Sequence, residues 1–327
     1  MTAGQVESAP PRREVTTLVA TSDRFELHSD PWVNLHHFLY QWARQDAGLS
    51  SGRRKVTVLE RSSLAGLSDE ERTAWLASAG FYRDNVASKG LFDDDMLQLK
   101  GQLMMLGGDP RARPPDRIQG IAAALSTVMP IYRDRWWPQH DRENRGWIER
   151  VLAPLRTCEK QYVETTVRVY GAEWPKDRWR VDVSAYANFA AGYTTYEGQV
   201  VIYSTDAGNQ GLYALETILH EIQHAGAIGG SNRPAIARVF GAAGVEPPAN
   251  LWHALIFATA GEFVRSTVAS EQRPEYTPYW IREGFESLEG WGYLVPAVRQ
   301  YWLPVVRGET SREDGLAALA RALRPPQ

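Results

Sequence analysis

His220, Glu221 and His224 form the pattern H-E-x-x-H, whose residue types and spacing are suited to binding a metal ion. Residues four apart on a helix project from one face, so both imidazoles can bind a single Zn²⁺. Glu221 lies on the same side of the helix, where its carboxylate can accept a proton from a metal-activated water. The pattern therefore predicts a zinc centre with His220 and His224 as ligands and Glu221 as general base.

The sequence around this pattern favours a helix. A chance match is expected in roughly one chain in a hundred of this length and histidine content. Asn209 is predicted to cap the N-terminus of the helix, and Gly226 is predicted to end it. The alternative is a surface helix that carries two solvated histidines. Against that alternative, apolar residues recur at helical spacing, at Leu212, Leu215, Ile218, Leu219 and Ile222.

A third ligand must come from another part of the chain, because catalytic zinc normally has three protein ligands and a water. Glu262 is the first candidate, since it lies in the nearly all-apolar segment 251–264, which predicts burial. A buried carboxylate is costly unless it is paired or binds a metal, and zinc would meet that need. The alternative is a salt bridge from Glu262 to Arg265 or Arg282.

Two further residues compete for the third position. His253 shares the segment with Glu262 but lies nine residues away. The two side chains should face roughly opposite directions, so they are not expected to bind the same ion. His253 could instead support a ligand, contact substrate or be a core histidine. Glu283 is the last candidate, in the polar and partly exposed segment 279–286.

The oxyanion formed during amide hydrolysis needs a hydrogen-bond donor besides the metal, and a phenol or an imidazole is typical. Tyr279 is the preferred candidate, and Tyr193 and His253 are the alternatives. Tyr279 follows Pro278 and could equally be a packing residue with a satisfied hydroxyl.

The elements that must position these residues are mostly helices. Residues 1–13 are predicted to form a disordered tail, followed by a mainly helical N-terminal region over residues 14–175. Within that region, Ser68 and Glu71 form a capping-box pattern that opens a helix. Residues 176–327 are predicted to form the metal-binding catalytic region.

A small sheet is expected directly before the helix with the H-E-x-x-H pattern. Residues 179–190 alternate in part, residues 199–204 are rich in β-forming types, and the turn-rich segment 192–198 joins them. This order predicts a hairpin or a small antiparallel sheet. The predicted fold class is therefore α+β and mostly helical, with a helical N-terminal region and a small antiparallel sheet next to the active-site helix.

Composition limits the partners of this 327-residue chain. Its formal net charge of -3 gives no electrostatic case for nucleic acid or an anionic membrane. No apolar run is long enough to span a bilayer. Residues 1–14 lack the apolar segment of a signal peptide, which favours a cytoplasmic protein. The single cysteine, Cys158, excludes an intrachain disulfide and is expected to be a buried apolar residue.

A sheet segment, an H-E-x-x-H helix and a glutamate on a later helix together resemble the gluzincin class of zinc metallopeptidases. The segments 251–254 (Leu-Trp-His-Ala) and 259–262 (Thr-Ala-Gly-Glu) also resemble a group of uncharacterised bacterial proteins. The resemblance covers about residues 180–305. It implies a zincin-type catalytic helix, an edge strand at residues 190–195 that binds the substrate backbone, and a zinc ion held by His220, His224 and Glu262.

Together these observations predict a zinc-dependent hydrolase, most simply a metallopeptidase, that acts on a peptide or a small amide. One Zn²⁺ ion would be its cofactor, and Glu221 would carry a proton from the attacking water to the leaving amine. Two alternatives stay open: a non-catalytic protein with structural or sensing zinc, and a hydrolase of a non-peptide amide. A structural site would add a fourth protein ligand and close, whereas a catalytic site keeps one position open.

Overall fold

A five-stranded sheet separates two groups of helices in the computed structural model, which describes residues 16–50, 55–187, 191–195, 198–269 and 275–324. The tail predicted at residues 1–13 lies outside the described residues. The strands are β1 (Leu18–Thr21), β2 (Phe25–His28), β3 (Trp179–Ser184), β4 (Gly192–Thr194) and β5 (Val200–Tyr203).

Most of the helices lie in two long runs of the chain. The first run contains α1 (Pro31–Asp46), α2 (Val58–Ser62), α3 (Asp69–Asn85), α4 (Asp94–Met104), α5 (Ile121–Arg135) and α6 (Trp137–Tyr170). The second contains α7 (Leu212–Glu221), α8 (Asn232–Ala242), α9 (Leu251–Phe263), α10 (Tyr279–Arg282), α11 (Leu294–Tyr301), α12 (Leu303–Arg307) and α13 (Arg312–Ala322). The predicted α+β, mostly helical fold class is confirmed. Within the described ranges, every helix is too short or too polar to cross a membrane.

The sheet is mixed, so the prediction of an antiparallel sheet was wrong. Its strand order is β1-β2-β3-β5-β4. The pairs β2–β3 and β3–β5 are parallel, whereas β1 and β4 pair antiparallel with their neighbours at the two edges. A local pattern shows which segments are extended but does not show which distant segment pairs with them. The segment 192–198, predicted to be a turn, contains the edge strand β4.

Side chains alternate along β5 between two hydrophobic cores. Val200 and Ile202 belong to the core with α6, α7 and the C-terminal helices, whereas Val201 and Tyr203 belong to the core with α1, α3 and α5. Both faces of the sheet are therefore covered, as is typical of parallel strands. Because β2 pairs with β3, the regions predicted on either side of residue 175 share one sheet.

Two local predictions are confirmed in the N-terminal region. Ser68 Oγ accepts a hydrogen bond from the Glu71 amide (3.2 Å), and a Glu71 carboxylate oxygen accepts one from the Ser68 amide (2.8 Å), so a capping box opens α3. Cys158 is buried in α6, and burial raises the pKa of its thiol to about 12. A thiol with this pKa is unreactive near neutral pH.

Buried side chains of α6 position the helix α7. The Tyr162 hydroxyl donates a hydrogen bond to the Leu219 carbonyl, and the Tyr170 hydroxyl donates to Gln223 Oε1 (2.6 Å). Gln223 Nε2 in turn donates to the Ile256 carbonyl of α9 (3.2 Å). A buried polar group left without a partner costs about 1–3 kcal/mol. This network therefore opposes any shift of α7 relative to α6 and α9.

Candidate active site

The sequence predicted that Asn209 caps the helix α7, and this prediction was wrong. Gly211, with a φ of 61°, precedes its first residue, Leu212. Asn209 Nδ2 instead donates hydrogen bonds to the carbonyls of Tyr203 (2.9 Å) and Ala191 (3.3 Å). The Asn209 amide therefore ties the end of β5 to the residue before β4, a tertiary role that its position before a helix does not reveal.

The C-terminal end of α7 brings the two histidines of the pattern into contact. The α-helix ends at Glu221, and a 3₁₀ turn over Ile222–His224 ends before Gly226, the residue predicted to stop the helix. His224 Nε2 lies 3.2 Å from His220 Nε2. Zn–N distances of about 2.0–2.1 Å place two nitrogens of a tetrahedral site about 3.3 Å apart. The observed distance is therefore that of two ligands to one ion.

His253, in the first turn of α9, supplies a third imidazole. One nitrogen from each of His220, His224 and His253 lies within 4.8 Å of the other two. The centroid of the His253 ring is 5.5 Å from that of His220 and 5.0 Å from that of His224. We refer to these three residues as the histidine group. His253 was the alternative third ligand, and the structure brings it, rather than Glu262, to the histidines of the pattern.

Glu262, predicted to be the third zinc ligand, lies outside the histidine group. Its side chain is 1% exposed, as its apolar segment indicated. Its oxygens accept hydrogen bonds from Arg265 (2.6 and 2.8 Å) and from Arg307 (3.0 Å). Two guanidinium groups thus stabilise the buried carboxylate in place of a metal. Arg307 comes from α12, 45 residues further along the chain, so the sequence near Glu262 reveals only Arg265.

The histidine group has the protonation state that a metal site requires. Burial lowers the pKa of His220 well below its ordinary value, that of His224 to about 4 and that of His253 to about 3. All three imidazoles are therefore neutral near pH 7, the form that binds metal. Among the described residues, His220 Nδ1 and His253 Nε2 are buried and have no hydrogen-bond partner. His220 Nε2 and His224 Nε2 face each other, and His253 Nε2 is free of a partner among the described residues, so the three neutral imidazoles form a donor set that Zn²⁺ fits.

Glu221 lies between this group and the edge strand β4. Its side chain is buried, and the Thr194 hydroxyl lies 2.9 Å from Glu221 Oε2 and 2.7 Å from the Glu221 carbonyl oxygen. A Cβ atom at Gly192 would lie 3.2 Å from Glu221 Cγ, so glycine permits the close approach of β4 to α7. Burial raises the pKa of Glu221 to about 8, and the hydrogen bond from Thr194 opposes that effect. A nearby cation would favour the carboxylate form.

A cavity of about 520 Å³ lies beside the histidine group, and β4 forms part of its wall. We refer to it as the candidate-site cavity. β4 is the last strand of the sheet order. It falls within the substrate edge predicted at residues 190–195, of which the structure describes residues 191–195. The cavity therefore brings together the edge strand, the histidine group and Glu221.

Both tyrosines predicted to stabilise an oxyanion line the candidate-site cavity. The Tyr193 hydroxyl lies 2.7 Å from His37 Nε2 and is committed to the N-terminal core. Tyr279 is parallel to Phe257, with their ring centroids 6.0 Å apart. Phe257 in turn stacks on His220 at a centroid distance of 3.9 Å. The structure thus places Tyr279 on an aromatic stack that leads to the histidine group.

Glu283, the other alternative ligand, also lines the cavity but lies outside the histidine group. Its carboxylate pairs with Arg282 at 2.8 Å. Glu283 therefore lies in the wall of the cavity, and the neighbouring Arg282 guanidinium balances the charge of its carboxylate.

Glu216 is a cavity residue that the sequence did not single out. It is buried and accepts hydrogen bonds from the Tyr276 hydroxyl and from the Tyr279 amide (3.0 Å). Burial raises the pKa of Glu216 to about 7, although these hydrogen bonds oppose the shift. Glu216 thereby anchors the segment that carries Tyr279. Its spacing of four residues from His220, which places both on one helix face, was the available signal.

Comparison with protein-family models, with curated proteins and with solved structures finds no match to this chain. The resemblance to gluzincins therefore stays a prediction. The histidine group also differs from the ligand set of two histidines and a glutamate that the resemblance implied. Any functional conclusion depends on the chemistry of the site.

Proposed function

We propose that this protein is a zinc-dependent hydrolase of peptide or amide bonds. The observation that carries the proposal is the convergence of the histidine group and the buried Glu221 on one cavity. Three imidazoles suit Zn²⁺ and leave a coordination position for water or substrate. In the described part of the chain, the group has three members and no fourth side chain of ligand type. This count favours a catalytic over a structural zinc.

The side chains around the histidine group have separate roles in the proposed reaction. When bound, Zn²⁺ would supply Lewis-acid chemistry that lowers the pKa of water and polarises a carbonyl. Glu221 would accept a proton from the attacking water and deliver it to the leaving amine. The Thr194 hydroxyl, 2.9 Å from Glu221 Oε2, would hold that carboxylate in position. Tyr279 is the proposed donor to the developing oxyanion.

The edge strand β4 is the proposed binding surface for the backbone of the substrate. An extended peptide can add to the edge of a sheet through main-chain hydrogen bonds. β4 is the last strand in the sheet order, and its residue Thr194 contacts the proposed general base. A substrate lying along β4 would therefore pass directly by Glu221.

Metal analysis and the substitution Glu221→Gln test this proposal. The wild-type protein should hold about one zinc per chain and should cleave members of a pooled set of peptides and N-acyl amides, followed by mass spectrometry. Glu221→Gln should keep the zinc, because Glu221 is not a ligand. It should lose hydrolysis by about a hundredfold to ten-thousandfold, the usual contribution of a general base. Glu164→Gln, an exposed substitution on α6, is the matched control and should retain both zinc and activity.

Two outcomes would contradict the proposal. Full activity of Glu221→Gln would remove Glu221 from the proton transfer. A wild-type protein that holds zinc yet cleaves no peptide and no amide would indicate a structural or sensing site. Cleavage of amides alone would select the non-peptide form of the hydrolase.

A further inference from the structure

The wall of the candidate-site cavity next to the histidine group is a packed aromatic surface. Phe285 contacts Phe257 and Trp291 edge to face, with centroid distances of 5.0 Å in both pairs. The ring centroids of Phe257 and Trp291 are 6.0 Å apart. Edge-to-face packing of this kind holds rings in defined orientations. Because Phe257 also stacks on His220, the apolar wall extends to the proposed catalytic centre.

Two large apolar side chains that line the cavity are exposed to solvent. Phe92, between α3 and α4, is 49% exposed, and Leu288, after α10, is 45% exposed. They come from opposite halves of the chain. Phe92 packs against Tyr193 of β4 at a centroid distance of 5.8 Å. Exposed apolar side chains at a concave site are typical of surfaces that bind an apolar ligand.

The carboxyl groups that line the cavity are those of Glu216, Glu221 and Glu283, and none of the described lining residues is a lysine or an arginine. An acidic substrate side chain placed against the aromatic wall would lose water without gaining a lysine or arginine partner there. Desolvation thus disfavours acidic side chains at this wall, whereas the aromatic rings favour apolar ones.

We infer that this site selects substrates with a large apolar side chain next to the cleaved bond and discriminates against acidic side chains. Phe92 and Leu288 are assigned as specificity-determining residues. The position of the cleaved bond rests on the proposed function. The ranking of side chains rests only on the walls of the cavity and can be measured without hydrolysis.

Amino acid hydroxamates provide a binding test that does not require turnover. A hydroxamate chelates zinc, so phenylalanine, leucine and aspartate hydroxamates present different side chains from one anchor. Calorimetric titration of the zinc-loaded protein should show the phenylalanine and leucine compounds binding at least about tenfold more tightly than the aspartate compound, the scale set by apolar pockets. Equal affinities, tighter binding of the aspartate compound, or no binding of any compound would overturn the inference.

Substitutions at the exposed residues test which side chains set the preference. Leu288→Arg and Phe92→Arg should each reduce the ratio of apolar to acidic affinity by about tenfold, because each removes apolar surface and adds a cation. Leu59→Arg is the matched control, since Leu59 is 72% exposed and does not line the cavity. All three positions are exposed, so the fold should be retained, as circular dichroism can verify. An unchanged ratio in both cavity variants would overturn the assignment.

The peptide digestion separates failure of this inference from failure of the proposed function. Cleavage without a preference for apolar side chains would overturn the inference alone. A clear apolar preference among hydroxamates, together with no cleavage of any peptide or amide, would overturn the proposed hydrolase alone.

Discussion

Two buried groups that contain histidine and glutamate lie in different parts of this molecule, and their hydrogen bonding differs. In the N-terminal core, His140 uses both ring nitrogens: Nδ1 lies 2.9 Å from the Tyr132 hydroxyl, and Nε2 lies 2.9 Å from Glu60 Oε1. Glu60 also accepts hydrogen bonds from the Tyr186 hydroxyl and the Thr57 amide. This group, the Glu60–His140 network, satisfies its polar atoms internally.

The histidine group of the candidate-site cavity is the opposite case. Its imidazoles contact one another and aromatic rings, and His253 Nε2 finds no partner among the described residues. A buried nitrogen without a partner is costly, and a ligand at this group would supply the missing interaction. The same residue types therefore complete a hydrogen-bond network in the N-terminal core and converge on a cavity at the histidine group.

The largest expected difference between the two groups is in zinc binding. His253→Ala should lower the zinc content from about one ion per chain to near zero, because two imidazoles do not complete a zinc site. His140→Ala should leave the zinc content of the folded protein unchanged. Atomic emission spectroscopy on both purified variants measures this. Retention of zinc by His253→Ala would remove His253 from the ligand set and would contradict the assignment of the histidine group as a three-ligand metal site.

The next largest effect is a loss of stability, which we expect when the Glu60–His140 network is broken. Glu60→Ala leaves His140 Nε2 and the Tyr186 hydroxyl without their acceptor. The free energy of unfolding should fall by about 3 kcal/mol, the scale for breaking a buried charged network. Urea denaturation measures the change. A loss below about 0.5 kcal/mol, the scale of ordinary surface substitutions, would show that the network is not structural.

A smaller effect is expected at Glu262, the buried carboxylate that the sequence assigned to zinc. Glu262→Gln keeps its shape but weakens its pairs with Arg265 and Arg307. Because both arginines are partly exposed, the free energy of unfolding should fall by about 1–2 kcal/mol, less than for a fully buried pair. Zinc content should not change. Loss of zinc with the fold intact would restore Glu262 as a ligand and contradict the three-histidine assignment.

The most gradual effect is a pH dependence of stability that arises from Glu60. Burial raises the pKa of Glu60, but the hydrogen bonds from His140, Thr57 and Tyr186 together outweigh burial and lower it from 4.5 to about 2. The folded chain therefore takes up this proton at lower pH than the unfolded chain does, and protonation favours unfolding. The stabilisation is complete above pH 4.5 and is lost as the pH falls towards 2.

The variant Glu60→Gln isolates that contribution. Its urea midpoint should change less than that of the wild type between pH 5 and pH 3, since the glutamine does not titrate in this range. Parallel curves for the two proteins would assign the acid sensitivity to other carboxylates.

Local sequence patterns predicted some features of the candidate site and missed others. The spacing of His220 and His224 correctly predicted that their rings lie together, because the end of α7 and the 3₁₀ turn that follows it keep residues four apart on one side. The apolar segment around Glu262 correctly predicted its burial. The salt bridge from Glu262 to Arg265 was one of the alternatives that the sequence offered. The second partner, Arg307, was not predictable, because it reaches Glu262 from a helix 45 residues away.

By itself, the sequence determined the mostly helical α+β class, the helix that carries the H-E-x-x-H pattern, and its pair of adjacent imidazoles. These follow from residue spacing, which acts over a few residues. The tertiary structure alone decided that the sheet is mixed, that β4 lies against Glu221, and that His253 joins the histidine group. Those outcomes depend on how distant segments pack, and packing energies are summed over contacts that no local pattern records.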